Sequence, residues 1–193
     1  MKVRAIVLGL AVLGALALVT VAAADRIKGT PGNDVLTGTE RHDLIAGLAG
    51  DDQISGLGAG DVLFGNRGND TISGGDGIDV IFGGRDNDNL DGGNGLDIVR
   101  GRSGDDTVAG GAGRDLLFGG WGTDTLSGGP GNDRLHAVAK DGQLDTLDCG
   151  EGNRDVAIVR GGEPVTLSNC EKVKTVPASF RAKGKPGERG NGS

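Results

Sequence analysis

Large side chains are scarce in this chain. Of its 193 residues, 3% are aromatic, none is tyrosine and 40 are glycine. A core of bulky side chains is therefore excluded, and the glycines add a heavy backbone-entropy cost to any fold. Histidine is almost missing: His42 and His136 are the only two. There is no His-Glu-x-x-His zinc motif, no Gly-x-Ser-x-Gly elbow and no plausible Cys-His pair. His42 falls in a turn and His136 at the end of a strand-like segment, both expected to face solvent. Carboxylates in pairs could serve a glycosidase, but here they fall into one regular array along the chain rather than into an isolated pair. The chain is accordingly expected not to be an enzyme. Basic residues are also in deficit, 20 against 27 acidic, which disfavours nucleic acid as a partner because phosphate contacts need clustered Lys and Arg.

Only one long apolar run is present. Lys2 and Arg4 precede residues 5–20, and Ala22, Ala23 and Ala24 supply the small-residue pattern of a signal-peptide cleavage site. Residues 1–24 are thus expected to be a signal peptide outside the fold, cleaved near Ala24, with a secreted, extracellular product beginning near Asp25. The alternative is an uncleaved anchor. The shortness of the run and the lack of a basic stop-transfer cluster disfavour it, so no stable membrane insertion is expected. Loss of Lys2 and Arg4 takes the net charge from −7 to −9. Export also places Cys149 and Cys170 in an oxidising compartment, where they either pair, closing a loop of about 20 residues worth on the order of 3 kcal/mol, or stay as free thiols.

What the chain has in abundance is a repeat. Residues 29–136 are twelve consecutive nine-residue units without insertion or deletion, each with Gly first, Asp sixth and an aliphatic residue eighth. The aspartates are Asp34, Asp43, Asp52, Asp61, Asp70, Asp79, Asp88, Asp97, Asp106, Asp115, Asp124 and Asp133. The first six positions are glycine-rich turn chemistry, and the last three make a short strand with its eighth residue on one face. A unit this small cannot bury one aliphatic side chain alone, so successive units must stack. Two units form an 18-residue coil with a strand on each side, and about six coils make an all-β parallel roll roughly 29 Å long at the inter-strand spacing.

Stacking aligns every second aspartate into two ladders whose carboxylates repel unless cations lie between them. Hard oxygen ligands in flexible glycine turns suit Ca²⁺ better than the tight octahedron of Mg²⁺. The candidate ligands are the twelve aspartates with backbone carbonyls near Gly65, Gly68, Gly74, Gly77, Gly92, Gly95, Gly110, Gly113, Gly119 and Gly122. Six aspartates per ladder leave room for at most ten ions by geometry. Arg41, Ala59 and Asp86 replace the fourth-position glycine, and Thr30 and Thr39 the second. Turns built on them are the weaker sites, and occupancy below ten is expected.

Residues 29–136 resemble the RTX, or haemolysin-type, calcium-binding nonapeptide family. The resemblance implies a parallel β-roll with Ca²⁺ held between neighbouring turns by the sixth-position aspartates and turn carbonyls, and a chain that folds when calcium is supplied.

A longer period lies beneath the repeat. Odd units present polar residues outward, whereas even units present Leu44, Val62, Val80, Ile98 and Leu116 beside Phe64, Phe82 and Phe118. Such a strip exceeds what monomers normally expose, so it is expected to be covered. The cover is either the chain's own C-terminal segment, around Phe180, or a second copy or an extracellular partner. Trp121 falls in a turn, either as a plain loop aromatic or as a sugar-stacking ring. Past His136 the phase breaks into irregular coils over residues 137–176, which are expected to form a disulfide-stapled cap over the roll 25–136. Residues 177–193 are expected to be a disordered tail. Two functions fit this reading: a secreted calcium-binding protein that folds on loading several Ca²⁺ ions, or a calcium-dependent adhesion or surface-assembly protein using the apolar strip.

Overall fold

Nine residues per strand-and-turn unit and 18 per coil reappear as backbone register. The computed structural model describes residues 17–20 and 26–178. The cleavage site near Ala24, Phe180 and the residues from 179 on lie outside the described residues.

Two parallel nine-stranded sheets face each other. One, here the acidic sheet, contains β1 (Ala17–Thr20), β3 (Asp34–Thr37), β5 (Gln53–Gly58), β7 (Thr71–Gly77), β9 (Asn89–Gly95), β11 (Thr107–Gly113), β13 (Thr125–Ser127), β15 (Asp145–Asp148) and β17 (Val165–Ser168). The other, the basic sheet, contains β2 (Arg26–Lys28), β4 (Leu44–Ala49), β6 (Val62–Arg67), β8 (Val80–Arg85), β10 (Ile98–Ser103), β12 (Leu116–Trp121), β14 (Arg134–Ala137), β16 (Val156–Arg160) and β18 (Lys172–Val176). The chain alternates between them, so each strand pairs with the strand two places on. Within the repeats each residue meets the one 18 positions away, as in Ile72↔Leu90 and Val99↔Leu117. Among the described residues no helix is long and apolar enough to cross a membrane.

The core is two facing rows of eighth-position side chains. Every one from Leu36 to Leu135 is at most 3% exposed, each contributing about 1.5–3 kcal/mol. Ile27, nine residues before Leu36, is buried in the facing row, where it pairs with Ile45, so the repeat logic extends one unit before Gly29. At the other end Leu147 and Ala157 extend the core. The roll therefore has about eight coils rather than six. The loops after His136 lengthen the turns, yet Thr146 still pairs with Thr125 and Ala157 with Leu135. Cys149 and Cys170 form a disulfide with Cα atoms 5.1 Å apart, tying the turns that follow the paired strands β15 and β17.

Residues 1–24 are expected outside the fold, but Ala17–Thr20 pairs in parallel with Asp34–Thr37. In the full-length chain this segment supplies the edge strand that β3 would otherwise lack.

The turns stack as closely as the strands. Gly93 adopts φ +100°, and a Cβ there would run into the backbone of Gly75 one coil below. The stacking is strong enough to hold Leu48, Leu57, Asn66 and Arg102 at positive φ in the equivalent position. Ala59 and Asp86, at the fourth position, also take the left-handed conformation, so the turn path survives those substitutions. Asp86 adds an acceptor: the Gly68 N–H donates to its Oδ2 at 3.1 Å.

Candidate metal centre

All twelve sixth-position aspartates are buried, at 4% exposure or less. They sit where strand begins, next to the inward eighth residue, so stacking removes them from water along with the core. One carboxylate oxygen of each is used structurally. The Asp34 N–H donates to Asp52 Oδ1 at 2.9 Å, Asp52 to Asp70 at 2.9 Å, and Asp70 to Asp88 at 2.9 Å. The other ladder repeats this from Asp43 through Asp61 and Asp79 to Asp97, Asp115 and Asp133. The 18-residue alignment of carboxylates is thus a chain of N–H to Oδ1 bonds.

The second oxygen is a different matter. Oδ2 of Asp52, Asp61, Asp70, Asp79, Asp88, Asp97, Asp106, Asp115, Asp124 and Asp133 is buried with no hydrogen-bond partner. A buried carboxylate left in this state is strongly unfavourable. Burial accordingly pushes Asp52, Asp61, Asp97, Asp106, Asp115 and Asp133 up to about 6. It pushes Asp70 and Asp124 to about 7 and Asp88 to about 8, against the opposing effect of the backbone donor and with help from neighbouring carboxylates.

Each orphaned oxygen points back to the first glycine of its own repeat. A methyl group built on Gly110 would meet Asp115 Oδ2 at 2.6 Å and the Gly128 carbonyl oxygen at 2.7 Å. Gly38, Gly56, Gly74 and Gly92 are flanked in the same way by the carboxylate of their own repeat and the first-glycine carbonyl one coil on. This is a cradle of carboxylate and carbonyl oxygen that any side chain would fill. Among the described residues no three His, Cys, Asp or Glu side chains cluster as a metal cage, so a bound cation must draw on carbonyls. Hard oxygen donors of this kind fit Ca²⁺.

The residues singled out from sequence fall into three groups. Gly65, Gly74, Gly92, Gly110 and Gly119 lie beside the carboxylates of their repeats. Gly68, Gly77, Gly95, Gly113 and Gly122 lie further along the turns, where they stack against the preceding coil; the Gly95 carbonyl accepts from the Arg114 N–H at 3.2 Å. Asp34 and Asp43 stand apart. Thr30 donates its N–H at 2.6 Å and its hydroxyl at 3.0 Å to Asp34 Oδ2, and Thr39 does the same for Asp43. Here two donors satisfy the oxygen that is orphaned elsewhere.

Other ladder members escape the nonapeptide count. Asp124 donates to Asp145 Oδ1 at 3.0 Å, Asp133 to Asp155 Oδ1 at 2.7 Å, and Asp155 to Glu171 Oε2 at 2.7 Å. Their signal was the Asp-x-aliphatic triplet, displaced by inserted residues. A second, exposed ladder runs up the fifth positions of the odd repeats: Asn33 Oδ1 accepts from the Asp51 N–H, Asp51 from Asn69, Asn69 from Asn87 and Asn87 from Asp105.

The outward apolar residues are half-buried rather than fully open, and the strip is interrupted. Phe64 and Phe82 stack at 5.0 Å, and Phe118 stacks on His136 at 4.5 Å. Between the pairs, the Arg100 guanidinium lies 4.5 Å from the Phe118 centroid and 6.0 Å from that of Phe82. Leu44, Val62, Val80, Ile98 and Leu116 form the adjacent row. Lys172–Val176 extends the sheet instead of crossing this strip. His136 is half-buried in its stack, contrary to the expectation of a solvent-facing ring, because the register sets it beside Phe118. His42 is exposed, its Nδ1 2.6 Å from the Gly60 carbonyl.

A parallel β-solenoid with buried, unsatisfied carboxylates at ten successive turns defines a metal-binding repeat protein. A family model described as RTX calcium-binding nonapeptide repeat (4 copies) matches at residues 20–40, 37–72, 64–99, 73–108 and 100–135. Together these cover more than half of the chain, which belongs to that family. The match starts at residue 20, in keeping with the extra unit that β2 completes. No curated protein matches the chain.

Proposed function

We propose that this protein is an exported calcium-binding β-roll whose folding is coupled to metal. The observation carrying the reading is the set of ten orphaned Oδ2 atoms from Asp52 to Asp133, buried among carbonyls without a donor. Calcium bound there supplies the positive charge these oxygens lack. Asp52, Asp61, Asp70, Asp79, Asp88, Asp97, Asp106, Asp115, Asp124 and Asp133 hold it, with first-glycine carbonyls such as those of Gly74, Gly92 and Gly110. Asp34 and Asp43 close the N-terminal coil through Thr30 and Thr39 and need no ion.

A metal-free roll places ten carboxylates in a nearly dry interior, and ligand binding to the folded form alone offsets this by mass action. The leader-like segment 1–24 supports export, so the chain stays unfolded where calcium is scarce and orders where it is millimolar. Its role is binding and structure, without catalysis. Circular dichroism of the chain from residue 25 with Ca²⁺, with Mg²⁺ and with chelator tests the reading. A β signal that appears with Ca²⁺ and not with Mg²⁺ is expected; an identical spectrum in chelator overturns it.

A further inference from the structure

The two faces of the roll differ completely in charge. The strands of the acidic sheet contain no Lys or Arg. Those of the basic sheet contain ten and not one Asp or Glu, and all but Arg160 are exposed. In a chain of net charge −7 this segregation is invisible to composition, because it follows the 18-residue period.

The cations gather at one end. Arg114, Arg134, Arg154, Lys172 and Lys174, with Asn132 and Val156, line an open groove of about 400 Å³. Among the described residues none of these five side chains makes a hydrogen bond or ion pair with a carboxylate. The groove continues an aromatic column: the register runs Arg100↔Phe118↔His136↔Ile158↔Lys174, beside Leu116↔Arg134↔Val156↔Lys172. Trp121, at the end of β12, is 59% exposed. Burial pushes His136 down to about 4, with the charges of Arg134 and Arg100 adding to it.

We propose that the outer face of the basic sheet binds an anionic polysaccharide, with the Arg114–Arg134–Arg154–Lys172–Lys174 groove taking its carboxylate or sulfate groups. Arg forks pair with carboxylate and sulfate. The spacing favours a glycan over a nucleic acid. The strands carry at most two cations each, in coils about 4.8 Å apart, and these alternate with apolar surface, whereas duplex DNA carries a charge every ~1.7 Å. The Phe rings already stack on each other, on His136 and on Arg100, leaving no gap for inserted bases. The inference goes beyond calcium binding and relies on it only for the conditions under which the face is assembled.

Affinity electrophoresis of the full chain in calcium tests it, with hyaluronate, dextran sulfate, uncharged dextran and oligothymidylate as probes. Retardation by hyaluronate or dextran sulfate, weakened by added salt and absent with dextran, is expected. Arg134→Glu with Lys172→Glu should weaken it about tenfold or more, as for paired charges removed from a complementary surface. Lys140→Glu, a single reversal with half that charge change in the loop after β14, should leave it unchanged. Arg134→Gln with Lys172→Gln replaces the reversal if that variant loses its β spectrum. No retardation of the folded chain by either anionic glycan, an equal loss in Lys140→Glu, or tighter binding of oligothymidylate overturns the proposal. A chain that folds without calcium refutes the metal-coupled reading while the glycan assay is read as before.

Discussion

In chelator the roll should be more stable near pH 5 than near pH 8, because protons partly replace calcium at the ladders. Burial lifts nine of the carboxyls from 3.8 to between about 6 and about 8. A group whose folded value lies above its unfolded value binds its proton more tightly when folded. Its contribution is fully present below about pH 4 and is lost as pH rises through the 6 to 8 window. For Asp88 the rise from 3.8 to about 8 sets a ceiling of about 6 kcal/mol at ~1.4 kcal/mol per unit. Relaxation around the buried groups, at an effective dielectric nearer ~20 than ~4, reduces this to on the order of 1 kcal/mol. Nine such groups still amount to several kcal/mol, comparable to the whole stability of a domain. Thermal melts followed by circular dichroism at four pH values, in EDTA and in excess calcium, measure the effect. In EDTA the β signal should be retained in part near pH 5 and lost toward pH 8, while the midpoint with calcium should stay nearly level. Asp70→Asn, Asp88→Asn and Asp124→Asn combined should flatten the upper half of the dependence, and Asp34→Asn should not. A β signal in EDTA that is level from pH 5 to pH 8, or grows toward pH 8, would refute the assignment of these carboxylates as an unsatisfied, destabilising array.

Thr30→Val with Thr39→Val removes two hydroxyl donors from Asp34 and Asp43 and should lower stability by about 1 kcal/mol per bond; calcium stoichiometry by isothermal titration should not change. Gly95→Ala puts a methyl group into the stacked turn against the Gly77 carbonyl and should cost about 3 kcal/mol or more, with the lost denaturant midpoint as the readout. Reducing the Cys149–Cys170 bond should lower the calcium-loaded roll by about 3 kcal/mol for a loop of this length, seen as a lower melting temperature in dithiothreitol without loss of the β spectrum.

The repeat array was legible because one period controls everything in it. Eighth-position aliphatics had to face inward and sixth-position aspartates had to align, and both did. The ends were less legible. Ile27 and Asp155 keep the local Asp-x-aliphatic logic, but the first lies before a turn without its glycines and the second follows an insertion, so a strict nine-residue count passes over them. The apolar strip was visible as residues and not as a surface: only the packed side chains show Arg100 lying on two phenylalanine rings. Thr30 and Thr39 looked like degenerate glycine positions. Their hydroxyls turned out to complete a carboxylate, because a threonine at the second position reaches back to Oδ2 where a glycine cannot.

By itself the sequence determined the coil, the core row and the carboxylate ladders, since each follows from a covalent period combined with the alternation of strand faces. Tertiary structure decided which oxygen of each carboxylate is left over, because that depends on the N–H group one coil away taking the other. It also gathered Arg114, Arg134, Arg154, Lys172 and Lys174 into one groove: residues up to 60 positions apart become neighbours only when coils stack, whatever the net charge of the chain.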